Sequence, residues 1–315
     1  MPDHPTGPTR LAAFSPSAKL AALGLGDSRM ALGLAGLGGA WGPVDEGESL
    51  ETLLHAMAEG VTVFDVAPAY AQAEPLLGRA LARWRGPRPI VSTKVGRLAG
   101  PNALRGSYDY SPRAIRDSLR ASLDRMGLAA VDLVFLHEPD QVPPADRPRV
   151  AATLCELQTE GLARRIGLGG GCGADWSEYV ATGVVDVAMG FNRLNALNSA
   201  ALTEDLPALR PSAAYYAASP LAMGILSARP DRWRAALPPW LTPRVWPQRE
   251  QLFGLATEQG IPLTALALRY LFGVAEADRV VLGAANAAEL ADALAAWRAG
   301  PLPPEVFAAV VATQM

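Results

Sequence analysis

Four titratable side chains fall in three short stretches of this chain. Asp65 and Tyr70 lie in Phe-Asp-Val-Ala-Pro-Ala-Tyr at 64–70, Lys94 in Ser-Thr-Lys-Val-Gly-Arg at 92–97, and His137 in Phe-Leu-His-Glu-Pro-Asp at 135–140. These residue types suit proton transfer. A phenol with an ordinary pKa of about 10 exchanges its proton poorly at neutral pH, and a neighbouring ammonium favours the phenolate. Lys94 can supply that field. A lysine ending a buried strand needs a compensating charge, which Asp65 can provide, and His137 can hydrogen-bond a substrate oxygen. Taken singly, a strand-end histidine or an Asp–Lys pair is more often structural. Four such residues at the ends of three consecutive apolar runs point to one site. His4 falls in the N-terminal stretch and His55 in a helical pattern, so neither competes with His137.

Each motif closes an apolar run of the kind that buried parallel strands make. The pattern predicts strands at 31–35, 61–66, 89–94, 131–137, 163–168, 184–190, 213–218 and 279–283. It predicts helices at 49–59, 74–83, 112–126, 149–160, 176–182, 200–206, 243–259 and 287–297. Ser111 before Pro112 reads as a helix start, and Gly60, Gly127, Gly161 and Gly260 read as helix stops. Alternating strands and helices in this number predict an α/β fold, a (β/α)8 TIM barrel whose site lies at the C-terminal ends of the strands. The alternative is a doubly wound open sheet. That fold wants a glycine-rich loop running straight into a helix, whereas Gly33 to Gly39 continue into a loop through Pro43.

Residues 20–30, with turn signals at Gly24, Gly26 and Asp27, predict an N-terminal β-hairpin plugging the bottom of the barrel. Residues 1–18 are expected to be flexible, and 19–315 to form one barrel domain with no dividing linker. The long stretches 97–111 and 226–242 are expected to wall the site.

The 315 residues are 50% hydrophobic and carry a net charge of −3 without a Lys/Arg run, which argues against nucleic acid and anionic membrane as partners. A small-molecule ligand fits better. No stretch approaches the roughly 20 apolar residues of a membrane span, and no apolar leader is evident, so a cytoplasmic location is expected. Cys155 and Cys172 fit no metal-ligand spacing, so no metal is expected.

The three motifs, together with Ser111-Pro112, Tyr108-Asp109-Tyr110 and the segment from Gly127 to Asp132, resemble the aldo-keto reductases over roughly residues 19–297. The likeness is greatest to the branch holding D-threo-aldose (L-fucose) and pyridoxal dehydrogenases. It implies an NAD(P)-dependent oxidoreductase acting on sugars, hemiacetals or aldehydes, with Tyr70 as general acid/base. Lys94 would tune Tyr70, Asp65 would hold Lys94, and His137 would orient the substrate oxygen. The alternative within the same family is a cofactor-binding regulatory subunit with little turnover.

The resemblance also implies the cofactor contacts, with departures. Where relatives carry Ser-Asn after the fifth strand, this chain has Gly169 and Gly170; the sixth-strand Gln is absent; and a stacking aromatic is replaced by Ala218. Asn192 and Arg193 are the substitutes available to the carboxamide. Ser219, Leu221 and Gly224 resemble the pyrophosphate loop, and Gly283, Ala285, Asn286 and Glu289 the adenosine end. With no Arg or Lys in 283–289, NAD is expected over NADP. Trp41, Trp233, Trp240 and Trp246 are candidates for the substrate pocket wall.

Overall fold

The computed structural model describes residues 16–100, 106–170, 174–209, 211–228, 230, 233, 237 and 241–314. Trp240, Arg229, Gly171 and Cys172 lie outside the described residues. Among the described residues the strands are β1 (Met30–Gly33), β2 (Val63–Asp65), β3 (Ile90–Val95), β4 (Val131–His137), β5 (Ala163–Gly170), β6 (Val187–Phe191), β7 (Ala214–Ala218) and β8 (Arg279–Gly283). They pair in chain order into a closed parallel barrel, with β1 joined to β8. Closure rules out the open sheet.

Strand side chains alternate between faces, so each strand divides its residues between barrel interior and helix layer. Ala31, Val63, Leu133, Phe135, Val187, Met189, Tyr216 and Val281 form the inner cluster. Counting two residues on from Val63 reaches Asp65, and two on from Phe135 reaches His137. The same parity places Lys94 inward, with its Nζ 5.7 Å from the centre of the Phe135 ring. Asp65, Lys94 and His137 therefore gather on one side of the top interior layer, above apolar residues such as Val63, Leu133 and Phe135.

Residues 20–30 do not form a hairpin. They continue helix α1 (Ala18–Ala22), capped by the Ser17 Oγ, which accepts from the Leu20 N–H at 3.3 Å, and then turn through Gly24 and Gly26. Ala-Lys-Leu-Ala-Ala has strong helix formers and no β-branched residue, so local propensity wins. The plug itself is present, because Leu20 and Leu25 belong to the inner cluster. Arg165 and Arg279, at the starts of β5 and β8, donate to the carbonyls of Leu23 and Leu25 and fasten it there.

The outer layer holds α2 (Glu46–Ala58), α3 (Ala73–Arg83), α4 (Pro112–Met126), α5 (Arg147–Thr159), α6 (Ser177–Ala181), α7 (Ala201–Glu204), α8 (Val245–Glu258), α9 (Leu263–Phe272), α10 (Ala287–Ala299) and α11 (Pro304–Ala312). Helix α4 starts and stops at its sequence signals: the Ser111 Oγ accepts from the Ala114 N–H, and Gly127 closes it in the left-handed conformation. Helices α9 and α11 lie outside the sequence pattern. In α9, Leu263, Leu266, Ala267, Leu268, Tyr270, Leu271 and Phe272 are all buried, so no polar face marks its period.

Candidate active site

Asp65 and His137 are the last residues of β2 and β4, and Lys94 is next to last in β3. Register sets Asp65 beside Ser92, Lys94 beside Phe135 and His137 beside Gly169. Lys94 donates to Asp65 Oδ2 at 2.5 Å and to the Val66 carbonyl at 3.0 Å. The other carboxylate oxygen of Asp65 accepts from the Ser92 hydroxyl at 2.7 Å. Ser92 escapes the motif reading, although its parity with Lys94 is the signal that could have found it.

Tyr70 reaches the same place from the turn after β2, its N–H donating to the Ala67 carbonyl at 3.0 Å. Its ring centre lies 4.8 Å from Lys94 Nζ and 5.9 Å from the His137 ring, which it meets edge-on at 86°. The structure thus brings all four residues together, with the phenol between an ammonium and an imidazole.

Burial dominates the electrostatics. Lys94, Asp65 and His137 are 1%, 3% and 6% exposed, so their charges are only as stable as their partners make them. For Lys94, burial disfavours the ammonium, but the Asp65 carboxylate and then Tyr70 outweigh it and hold the pKa above the ordinary value. Burial, and then the positive charges of Lys94 and Arg97, push His137 well below its usual range, leaving a neutral ring at neutral pH. For Tyr70, burial raises the pKa, and Lys94 opposes it both as a charge and as a hydrogen-bonding partner. The net shift is upward. Lys94 therefore moderates the cost of a phenolate rather than favouring one at rest, and the resting group is a protonated donor.

The cofactor candidates divide. Gly167, one turn of the pleat below Gly169, is required by packing, since a Cβ there would lie 2.5 Å from the Phe135 ring. Gly169 and Gly170 leave backbone rather than side chains at the mouth, and beside Gly283 there is open space where a Cβ would stand. The loop after β7 runs through Ser219, Ala222, Met223 and Gly224 with positive φ. Such strain in non-glycine residues collects at ligand clamps. The open edge at Gly283 and a strained loop after β7 fit a dinucleotide.

Other candidates are otherwise engaged. Arg193 donates to both carboxylate oxygens of Asp205 and pairs with Glu204, so the structure uses it to hold the loop after β6. Asn192, with φ of 57°, accepts from Asn195 Nδ2 at 2.8 Å. Asn192, Asn195, Asn198, Thr242, Arg244 and Gln248 line a cavity of about 270 Å³ that includes no member of the tetrad. Glu289 is exposed, and its carboxylate accepts from the Ala285 N–H at 2.9 Å while Asn286 caps α10. Leu221 accepts from Gly224 and Leu226 within the strained loop. Trp233 donates to the Met223 carbonyl at 2.7 Å and so braces that loop; Trp41 is 40% exposed, and Trp246 packs against the outer core. Phe191 was not foreseen: it ends β6 on the inward parity, opposite Ala218, and is 37% exposed.

The model of the Aldo/keto reductase family matches residues 29–314. The chain is 30% identical to the L-galactose dehydrogenase of Arabidopsis thaliana, over 87% of this chain and 85% of that protein. It is 28% identical to the D-threo-aldose 1-dehydrogenase of a Pseudomonas species, over 86% of this chain and 89% of that protein. A glycerol dehydrogenase structure from Gluconobacter oxydans superposes with a TM-score of 0.74 at 24% identity, covering 91% of each chain, which is a likeness of fold.

Proposed function

The chain belongs to the aldo/keto reductase family, and from that membership we propose that it is an NAD-dependent oxidoreductase acting on a sugar or aldehyde, with Tyr70 as general acid/base. The observation that carries this reading is the Tyr70 phenol set between Lys94 and His137. In the reducing direction Tyr70 gives its hydroxyl proton to the substrate oxygen as the carbonyl becomes an alcohol, and in oxidation it takes that proton back. Lys94 stabilises the phenolate so formed, and Asp65, braced by Ser92, keeps Lys94 charged and in place. Neutral His137 donates a hydrogen bond to the substrate oxygen. The nicotinamide, when bound, supplies or accepts the hydride. Gly169, Gly170, Ser219, Leu221, Gly224 and Gly283 would hold it, largely through backbone. The names of the relatives, an L-galactose dehydrogenase and a D-threo-aldose 1-dehydrogenase, support sugars as the first substrates to try.

Following nicotinamide absorbance with aldoses, pyridoxal and simple aldehydes tests the reading. Turnover supports it; cofactor binding with no turnover across the panel favours the regulatory subunit, a reading supported by the missing carboxamide side chains on β5 and β6.

Cofactor choice gives a separate prediction. Residues 283–289 hold no Arg or Lys, Glu289 places a carboxylate at that rim, and Arg193 is committed to Asp205. A 2′-phosphate would meet repulsion without a charged donor. NAD should bind on the order of tenfold tighter than NADP, the size of one charged hydrogen bond. Calorimetric titration of both cofactors checks this, and equal or tighter NADP binding would assign the phosphate to a cation elsewhere, with Arg229 the first to substitute.

A further inference from the structure

Beside the tetrad lies a charged cluster that proton transfer does not use. Arg97 follows β3 and Glu138 follows β4, 41 residues apart in sequence, and Arg97 Nη1 donates to Glu138 Oε1 at 2.7 Å. The Tyr108 hydroxyl donates to the other oxygen of the same carboxylate. Burial, and then that carboxylate, push Tyr108 up to about 12, so it remains a donor. Arg97 is buried, and its positive charge bears on both Tyr70 and His137. The cluster therefore sits within electrostatic reach of the reacting groups.

Several contacts fix the cluster in place. Arg97 and Tyr108 form an antiparallel bridge, the Leu98 N–H donates to Ser107 and the Asp109 N–H to Gly96, so the chain returns alongside itself. The Tyr110 hydroxyl lies 2.9 Å from the His137 carbonyl and 2.8 Å from the Glu138 carbonyl and shares its proton between them. Gly96 makes room for that tyrosine: its φ is 96°, and a Cβ would stand 2.3 Å from the Tyr110 ring. Glu138 itself has φ of 53°, a left-handed conformation that a non-glycine residue keeps only when its surroundings impose it. Both side-chain oxygens and the backbone carbonyl of Glu138 are engaged.

An arginine this close to a reacting phenol would, if uncompensated, attract substrates carrying a carboxylate or phosphate. We propose that Glu138 masks the Arg97 charge at the mouth of the site, so that the site selects uncharged, hydroxyl-bearing substrates over anionic ones. An anionic substrate would have to displace Glu138 from Arg97 while facing its negative charge. A neutral hydroxyl can instead donate to the lone pairs that the carboxylate retains. Selection then works by repulsion as well as attraction. The inference rests on the sugar or aldehyde reading above.

The test compares kcat/KM for neutral substrates and their carboxylate analogues, galactose against galacturonate and butanal against succinic semialdehyde, in the full chain with its preferred cofactor. The wild type should favour the neutral member of each pair. Glu138→Gln should raise the anionic-to-neutral ratio on the order of tenfold or more, because the Arg97 charge is released. Arg97→Gln should lower the ratio by a similar factor, because the carboxylate is left alone; this variant carries the test if the first does not fold, as judged by circular dichroism and thermal melting. A merely structural latch would move both members of a pair equally. Turnover with an unchanged ratio, or a wild type that already prefers the anionic member, overturns the inference alone. Turnover of neither pair with either cofactor overturns the functional reading and the inference with it.

Discussion

Tyr70→Phe should lower kcat by about 10²–10⁴, the range that general acid–base catalysis supplies, while leaving the fold and cofactor affinity close to those of the parent. The substitution keeps the ring, and with it the edge-on contact to His137 and the 4.8 Å approach of Lys94. It removes only the hydroxyl. The hydroxyl hydrogen-bonds Lys94, but Lys94 keeps Asp65 and the Val66 carbonyl as partners, so deleting the hydroxyl should cost only about 1 kcal/mol. Steady-state kinetics beside a cofactor titration and a thermal melt check each part. Parent-like turnover would remove Tyr70 as the proton donor, and an unfolded variant would show that the hydroxyl's bond to Lys94 also holds the fold.

Lys94→Met should abolish activity to a comparable degree and, unlike Tyr70→Phe, should also destabilise the protein. Methionine fills much of the lysine stem's volume, so packing is roughly kept. What is lost is the ammonium that meets Asp65 at 2.5 Å, and with it the compensation for a carboxylate that is 3% exposed. Breaking one side of a buried pair costs about 3–5 kcal/mol, which for a chain of this size lowers Tm by roughly 5–10 °C. Adding Asp65→Asn to Lys94→Met removes the orphaned charge and should restore most of that Tm without restoring turnover. A single variant with unchanged melting would show that Asp65 does not depend on Lys94. Recovery of activity in the double variant would contradict the role given to the ammonium.

The strands were legible because apolar runs are local: β4 and β8 occupy the stretches marked at 131–137 and 279–283, while β1, β2 and β6 differ from the marked 31–35, 61–66 and 184–190 by up to three residues at an end. Helix α4 was legible at both ends because a Ser-Pro start and a glycine stop act on backbone groups within one turn. Helix α9 was not, since its residues are buried or half-buried and almost all apolar, and α1 was not, since its five residues stand directly before the turn signals at Gly24 and Gly26. The same limit applies to the site: no local pattern shows that Arg193 is held by Asp205 or that the Glu289 carboxylate accepts from the Ala285 N–H.

By itself, then, the sequence determined which side chains would stand at the strand ends and which face of each strand they would occupy, because alternation leaves no freedom once the strands exist. Tertiary structure alone decided what those side chains experience. Closing the barrel removes water from Lys94 and His137, which pushes both pKa values down, but Asp65 and Tyr70 more than restore that of Lys94 while Lys94 and Arg97 lower that of His137 further. It also brings Arg97 to Glu138 across 41 residues, a pairing no local pattern encodes. Charge–charge energies depend on separation and on the surrounding dielectric, and both are properties of the folded shell rather than of the residues that line it.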